Sequence, residues 1–273
     1  MTATAAPLLP ASPPGTLVAW GGGDDDPLLD WLAAHCAGQP AGAGRAEIVV
    51  AATPVRPLIT GRCYAASLRE RGFAEANVLH LTARTPPDSP AHLRRLAAAD
   101  LVFFSGGDQE RLTAALHGTA FLALLRDRYQ HHGLTVAGTS AGAAALAGQM
   151  VVAGHGWRAL LGGRVRLADG LGLAPGVLFD THFAERGRFG RLAHAVLLQP
   201  TTLGVGIAEE TGVIWQPTPD GRPHFRVIGD EGVVVFDGRY SRAPHLATTP
   251  YNHPISGHDV RLHLLRGGDA YGW

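Results

Sequence analysis

Residues 134–145, LTVAGTSAGAAA, constrain the fold of this chain more than any other stretch. A run of small and β-branched apolar residues leads into Gly-Thr-Ser-Ala-Gly, and an alanine-rich helical pattern follows directly. A buried strand, a tight turn and a helix in this order are the context of a nucleophile elbow, which exposes a serine hydroxyl at the carboxyl end of a sheet. Gly138 and Gly142 allow the strand and the helix to approach closely, and Ser140 becomes the candidate nucleophile. The start of the helix also offers backbone N–H groups where negative charge would develop on an attacked carbonyl.

Strand and helix patterns alternate on the amino-terminal side of this motif. Short apolar runs predict strands at residues 16–20, 46–52, 77–81 and 101–104. Helical patterns follow these strands at residues 27–37, 59–71, 89–98 and 111–131. Such alternation predicts an α/β fold, with a mostly parallel sheet and flanking helices on both faces. Beyond residue 151 the pattern changes to short strands, which predict extra C-terminal β elements at residues 205–207, 212–216, 225–228 and 232–236.

The organisation and composition of the chain narrow its class further. We find no internal repeat and no dense linker, so residues 16–273 are expected to form a single α/β domain after a disordered leader at residues 1–15. Basic and acidic residues balance at 23 each, which gives no electrostatic reason to expect nucleic acid or an anionic membrane as a partner. No apolar run has the length of a membrane span. Cys36 and Cys63 form neither a disulfide framework nor a metal-binding spacing, and a cytoplasmic location is the default expectation.

A serine nucleophile needs a base and an orienting acid, which meet in space and not in sequence. His182 ends the apolar run 177–183, where catalytic residues collect in open α/β sheets, although a buried structural histidine would look the same. Glu209 and Glu210 follow the apolar strand 204–208, and spacing alone does not choose between them. Three other histidines, at positions 253, 258 and 263, recur at intervals that share no face of a helix or strand, so no metal site is expected there.

Two charged segments need an interpretation. Arg186, Arg188 and Arg191 fall within six residues just after His182. They form either a solvated helix face or a guanidinium cluster that captures a substrate carboxylate bidentately. The run Gly-Gly-Gly-Asp-Asp-Asp at residues 21–26 resembles a phosphate loop only superficially, because three carboxylates would repel a phosphate. We interpret it as a turn near the rim of the pocket.

Four blocks in order resemble one known family: FSGGDQ at residues 104–109, GTSAGA at 138–143, DTHF at 180–183 with the arginines after it, and GIAE at 206–209. They are similar to the cyanophycinases, serine peptidases of family S51 that are related to aspartyl dipeptidase (peptidase E). The resemblance covers residues 21–238 and implies a class I glutamine-amidotransferase-like fold. It implies Ser140 as nucleophile, His182 as general base and Glu209 as its partner. It further implies oxyanion donors on the backbone of Gly107 and Ala141, and a substrate pocket lined by Gln109, Asp180, Thr181, Arg186, Arg188 and Arg191.

The resemblance also implies a substrate, and it implies that no cofactor is needed. We expect the protein to be a homodimer. The family substrate is cyanophycin, a poly-aspartate chain with arginine on each side chain, cleaved to β-aspartyl-arginine dipeptides. This chain departs from the family at Thr181, where many members have glutamine, and at Ala208, where the usual block reads Gly-Ile-Asp-Glu. Thr181 cannot make the two-ended contact of an amide, which bears on the substrate and not on the mechanism.

Three alternatives to a cyanophycinase-like activity remain at the level of sequence. A dipeptidase for aspartyl or β-aspartyl substrates belongs to the same family, but small members of that kind lack an extension such as residues 211–273. A binding protein that has lost turnover is disfavoured because candidates for all three catalytic roles are present. A lipase or esterase would place its acid before the histidine, whereas here the best acid follows it.

Overall fold

The computed structural model describes residues 14–37, 44–215, 224–243 and 245–272. The α-helices in these ranges are α1 (Asp26–Ala37), α2 (Pro57–Glu70), α3 (Pro90–Ala98), α4 (Gln109–Leu116), α5 (Ala120–His131), α6 (Ala141–Leu146) and α7 (Phe189–Leu198). The strands are β1 (Leu17–Trp20), β2 (Arg45–Val49), β3 (Glu75–Leu79), β4 (Leu101–Phe104), β5 (Thr135–Thr139), β6 (Gln149–Ala153), β7 (Arg166–Asp169), β8 (Val177–Asp180), β9 (Leu203–Ile207), β10 (Thr211–Trp215), β11 (His224–Gly229), β12 (Gly232–Asp237), β13 (Arg261–Arg266) and β14 (Ala270–Gly272). Short 3₁₀ helices lie at Gly156–Leu160 and Leu246–Thr248.

The main sheet has the strand order β14-β11-β10-β1-β5-β4-β2-β3. Strands β1 to β5 pair in parallel, and β10, β11 and β14 extend the sheet antiparallel on the β1 side. Alternate residues of β4 point to opposite faces: Leu101 and Phe103 pack in the cluster that holds α1 and α2, and Val102 and Phe104 pack in the cluster that holds α4 and α5. The prediction of a mostly parallel sheet with helices on both faces is therefore confirmed.

A second sheet, with the order β13-β12-β9-β8, follows the main sheet in the chain. Strands β8 and β9 are parallel, and β12 pairs antiparallel with both β9 and β13. Helix α7 packs on this sheet through a separate apolar cluster that includes Leu192, Val196 and Phe236. The predicted C-terminal β elements are thus divided, because β10 and β11 join the main sheet while β9 and β12 belong to the second one.

The structure corrects several predicted boundaries. The single helix predicted at residues 111–131 is two helices, α4 and α5, which are separated at Gly118. Gly118 has a φ of +75°, and the Thr119 hydroxyl accepts a hydrogen bond from the Leu122 amide to begin α5. Strand β3 begins and ends two residues earlier than predicted, and β2 ends at Val49. Positions 1–13 of the predicted leader lie outside the described residues. Position 216 of the strand predicted at 212–216 also lies outside them. Among the residues described, no helix is long and apolar enough to span a membrane.

Candidate active site

Ser140 lies between the buried strand β5 and helix α6, with backbone angles of φ 52° and ψ −118°. The close approach that this turn requires depends on glycine. A Cβ on Gly138 would lie 2.6 Å from the carbonyl carbon of Gly142, and a Cβ on Gly142 would lie 2.3 Å from the carbonyl oxygen of Phe104. The Ser140 amide donates to the carbonyl of Trp20 at 3.0 Å, which ties the turn to the neighbouring strand β1. The strand, turn and helix predicted around Ser140 are therefore present.

His182 lies two residues after β8, and its φ is +45°. Its Nε2 lies 2.7 Å from Ser140 Oγ, and its Nδ1 lies 2.5 Å from Glu209 Oε1. A carboxylate only accepts hydrogen bonds, so Nδ1 carries the proton and Nε2 is left to accept from the serine hydroxyl. The side chain of His182 is 12% exposed, which limits competition from water for both contacts. Ser140, His182 and Glu209 thus form one hydrogen-bonded chain.

Glu209, and not Glu210, lies beside His182. The two glutamates form the turn between β9 of the second sheet and β10 of the main sheet. Glu210 has a φ of +53° and is exposed, while Glu209 is half-buried and its amide hydrogen-bonds with the carboxylate of Glu185. Spacing alone left this choice open, while the family resemblance implied Glu209, and the turn brings the Glu209 carboxylate to 2.5 Å from His182 Nδ1.

The loop after β4 borders Ser140 from the neighbouring strand of the main sheet. A Cβ on Gly106 would lie 3.3 Å from Ser140 Cβ. Gly107 has a φ of +137°, and a Cβ there would lie 2.1 Å from the carbonyl oxygen of Ala52, so the position accepts only glycine. Gly107 and Ala141 line the same cleft as Ser140. Both backbone segments named as candidate oxyanion donors are therefore next to the nucleophile.

An open cleft with about 610 Å³ of empty space lies in front of Ser140. Its wall contains every side chain predicted for the substrate pocket: Gln109, Asp180, Thr181, Arg186, Arg188 and Arg191. Gln109 lies in the first turn of α4, and its side-chain amide donates to the carbonyl of Val151 at 3.0 Å. Thr181 is buried, and its carbonyl accepts a hydrogen bond from Arg188.

The three arginines have different environments. Asp180 is 1% exposed and pairs with Arg191, whose Nε lies 2.7 Å from Asp180 Oδ2, and with Arg188 at 3.3 Å. Burial, together with the charges of Arg191 and Arg186, lowers the pKa of Arg188 to about 10 despite the opposing effect of Asp180. Arg186 is exposed and forms no ion pair with any residue in the described ranges. The Asp180 carboxylate thus pairs with two of the three guanidinium groups, and Arg186 adds a further positive charge to the wall of the cleft.

The sequence analysis missed two side chains close to this site. His155 lines the same cleft as Ser140, in the loop between β6 and the first 3₁₀ helix. Asp25 is a buried carboxyl in the predicted Gly-Asp turn, where burial raises its pKa while hydrogen bonds from Tyr64 and Thr139 lower it. The sequence around His155, which lies between two glycines, does not indicate that it lines the cleft. Nothing in the run of three aspartates indicates that Asp25 is the buried one. Within the part of the chain that the structure describes, no three His, Cys, Asp or Glu side chains are grouped to hold a metal ion.

The mixed α/β fold and the contacts among Ser140, His182 and Glu209 are those expected of a serine-type hydrolase, and comparison with known proteins identifies the family. The profile of Peptidase family S51 matches residues 63–218. Curated relatives include the cyanophycinase of Trichormus variabilis, 35% identical over 235 residues, which covers 85% of this chain and 76% of the relative. The cyanophycinase of Synechococcus elongatus is 37% identical over 232 residues, with coverage of 84% and 71%. The chain belongs to peptidase family S51, and the protein is a serine-type peptidase.

Solved structures show the same fold at lower sequence identity. A peptidase from an acI-B1 Actinobacterium superposes with a TM-score of 0.69 at 22% identity, and the match covers 96% of this chain and 98% of that one. A putative peptidase E protein from Listeria monocytogenes EGD-e superposes with a TM-score of 0.54 at 15% identity, over 80% of this chain and 100% of that one. The smaller match of the second structure leaves a part of this chain without a counterpart.

Proposed function

We propose that this protein hydrolyses cyanophycin or a related isoaspartyl peptide and releases dipeptides of the β-aspartyl-arginine type. The observation that carries the proposal is the hydrogen-bonded chain from Ser140 Oγ through His182 to Glu209, with contacts of 2.7 Å and 2.5 Å. This is the arrangement that an acyl transfer needs: a nucleophile within reach of a base, and the base oriented by a carboxylate. The names of the curated relatives support the substrate class.

The positions of the side chains support the following reaction. His182 Nε2 takes the hydroxyl proton as Ser140 Oγ bonds to the scissile carbonyl carbon, and the Glu209 carboxylate stabilises the imidazolium that forms. The amides of Gly107 and Ala141 are the proposed donors to the oxyanion. His182 then gives its proton to the leaving amine as the C–N bond breaks, which leaves an acyl-enzyme on Ser140. Water, deprotonated by the same imidazole, cleaves the ester and restores the serine.

The charges of the cleft support a peptide substrate that carries free carboxylates. Arg186 forms no ion pair within the described residues and is the proposed ligand of an aspartyl carboxylate, because a guanidinium fork matches a carboxylate bidentately. Asp180 is held by Arg188 and Arg191 and orders them, so its carboxylate is not available to bind the substrate guanidinium. Thr181 and Ala208 both lie next to the site, and they are the places where the substrate preference of this chain would depart from that of its relatives.

Several further features belong to the same proposal. The backbone of Ser140 supports its assignment as a nucleophile elbow, and the sheet order supports a class I glutamine-amidotransferase-like fold for a single domain spanning residues 16–273. Cys36 and Cys63 are both free, which supports a reducing, cytoplasmic location. We also expect a homodimer, which light scattering of the purified protein would test.

The deciding experiment is incubation of the enzyme with insoluble cyanophycin, with β-Asp-Arg, with β-Asp-Lys and with α-aspartyl peptides, followed by mass measurement of the products. Release of dipeptides from the polymer, with no cleavage of the free dipeptides, supports the proposed cyanophycinase activity. Cleavage of the dipeptides alone would make the protein an aspartyl or β-aspartyl dipeptidase. If none of the substrates is cleaved and Ser140 also fails to react with serine-directed reagents, the result would favour a binding protein without turnover.

A further inference from the structure

The turn at residues 21–25, between β1 and α1, contacts the catalytic side chains from one side. The carbonyl of Trp20, the last residue of β1, accepts the amide of Ser140 at 3.0 Å. The carbonyl of the next residue, Gly21, accepts the amide of His182 at 2.9 Å. Two successive carbonyls thus fix the backbones of the nucleophile and of the base.

The same turn continues to the acid. The carbonyl of Gly22 accepts the amide of Glu210 at 2.8 Å, and a Cβ on Gly23 would lie 2.9 Å from Glu209 Cβ. The turn between β9 and β10, which carries the catalytic carboxylate, therefore rests on the glycines. Three consecutive carbonyls of one short segment hold the three loops of the site.

Such a common support is needed because the catalytic loops leave different sheets. Ser140 follows β5 of the main sheet, whereas His182 and Glu209 follow β8 and β9 of the second sheet. No β-ladder in the described ranges joins β5 to β8 or β9. Neither sheet alone can set the distance between Ser140 Oγ and His182 Nε2, so that distance depends on groups that touch both.

Gly22 makes the closest approach to the base. Its φ is +99°, and a Cβ built on it would lie 2.3 Å from Cε1 and 2.7 Å from Nε2 of His182. These distances are far below van der Waals contact, so any side chain at this position would displace the imidazole. The ring is the end of a side chain and can move without disturbing the fold, but it cannot move and keep its contact with Ser140.

Asp25 ends the turn and anchors the residue before the nucleophile. Its Oδ1 accepts a hydrogen bond from the Thr139 hydroxyl at 2.7 Å, and its Oδ2 accepts one from the Tyr64 hydroxyl at 2.5 Å. Tyr64 in turn packs its ring against Phe103 of β4. The carboxylate thereby connects the turn to the end of β5 through a side chain, in addition to the backbone contact at Ser140.

We propose that residues 21–25 are a positioning element that sets the nucleophile against the base, with Gly22 as the surface on which the imidazole rests and Asp25 as a positioning residue that acts through Thr139. The proposal rests on the assignment of Ser140 and His182 as nucleophile and base. It predicts that small changes in this turn reduce turnover while substrate binding and the fold are retained.

The first test compares two substitutions of the same kind, Gly22→Ala and Gly72→Ala. Gly72 has a φ of +102°, close to that of Gly22, but a Cβ there would meet nothing within 4 Å. Both variants therefore place alanine at a similar positive φ, and only Gly22→Ala would displace the imidazole. We expect Gly22→Ala to lose about 100-fold in kcat with KM nearly unchanged, since a misplacement of about 1 Å costs a factor of that order. Gly72→Ala should stay within about threefold of the wild type.

The second test separates positioning from stability at the other end of the turn. Thr139→Val removes the hydroxyl at constant volume, and Thr139→Ser keeps it. We expect Thr139→Val to lower kcat about 10-fold and Thr139→Ser to restore most of it, with melting temperatures recorded for both. Equal kcat for the two variants would overturn the role of the Asp25 contact, and this holds even where Gly22→Ala fails to fold.

The readout for all variants includes the rate at which Ser140 is modified by a phosphonofluoridate, followed by mass spectrometry of the intact protein. This rate depends on nucleophile and base and needs no knowledge of the peptide substrate. If the wild type is not modified, the assignment of Ser140 and His182 fails. If the wild type is modified and Gly22→Ala reacts as fast as Gly72→Ala, the assignment stands and the positioning element is refuted.

Discussion

Substitution of Arg186 by lysine tests how the cleft recognises its substrate. Arg186 is the exposed arginine of the wall, and unlike Arg188 and Arg191 it forms no ion pair with Asp180 in the described ranges. Lysine keeps the positive charge but replaces a planar fork with a single point donor. The expected effect is therefore the loss of one charge-assisted hydrogen bond, with little change in folding.

A hydrogen bond to a charged group contributes about 1.5–3 kcal/mol, which corresponds to a loss of roughly 10- to 150-fold in kcat/KM. The assay measures kcat/KM on a short peptide with aspartate at the bound position and on the same peptide with asparagine there. In the wild type the asparagine peptide should be the poorer substrate. In Arg186→Lys the aspartate peptide should lose the full factor and the asparagine peptide little, because the partner of the missing contact is already absent.

Arg226→Lys is the matched control, since Arg226 is exposed on β11 and does not line the cleft. It should leave kcat/KM on both peptides unchanged. Equal losses on the aspartate and asparagine peptides in Arg186→Lys would refute the reasoning. In that case Arg186 shapes the cleft without binding a carboxylate, and the aspartyl preference would rest on family membership alone.

The remaining predictions concern the catalytic groups. Ser140→Ala should lower kcat by about 10⁴-fold or more at an unchanged melting temperature, and retention of a few per cent of activity would exclude the serine mechanism. Glu209→Gln should lower kcat by about 10⁴-fold because an amide no longer fixes the tautomer of His182, whereas Glu210→Gln should leave kcat within about twofold; the reverse order would assign the acid to Glu210. Activity should survive exhaustive dialysis against a chelator, since the proposed oxyanion donors are backbone amides, and a loss restored by zinc would contradict this.

Local sequence patterns predicted the parts of the site that depend on neighbouring residues. The strand, turn and helix around Ser140 follow from small residues within twelve positions. The apolar run before His182 made this histidine a candidate, and the family resemblance was needed to choose it over a structural histidine. The helix break at Gly118 was missed because apolar residues keep a helical spacing across it. The positive φ of Gly118 and the N-cap hydrogen bond of Thr119 separate α4 from α5.

Contacts over long sequence separations could not be predicted in this way. The bond between Thr139 and Asp25 spans 114 residues, and nothing near Asp25 in the sequence marks it among three consecutive aspartates. The choice of Glu209 depends on how a turn is oriented between two sheets. The division of the C-terminal strands between those sheets also escaped prediction, because an apolar run looks the same whichever neighbour it pairs with.

The pairing of β10 with β1 makes the candidate site depend on strands that are far apart in the chain. Leu17 lies opposite Trp215, so the main sheet is complete only after a strand from late in the chain pairs with the first one. The loop that carries Glu209 immediately precedes that strand, and the loop that carries His182 rests on the turn after β1. Such non-local pairing forms slowly, because a long loop of chain must be closed before the contacts can form. A chain synthesised only as far as β8 therefore carries Ser140 without its proposed base and acid, and we expect it to lack peptidase activity.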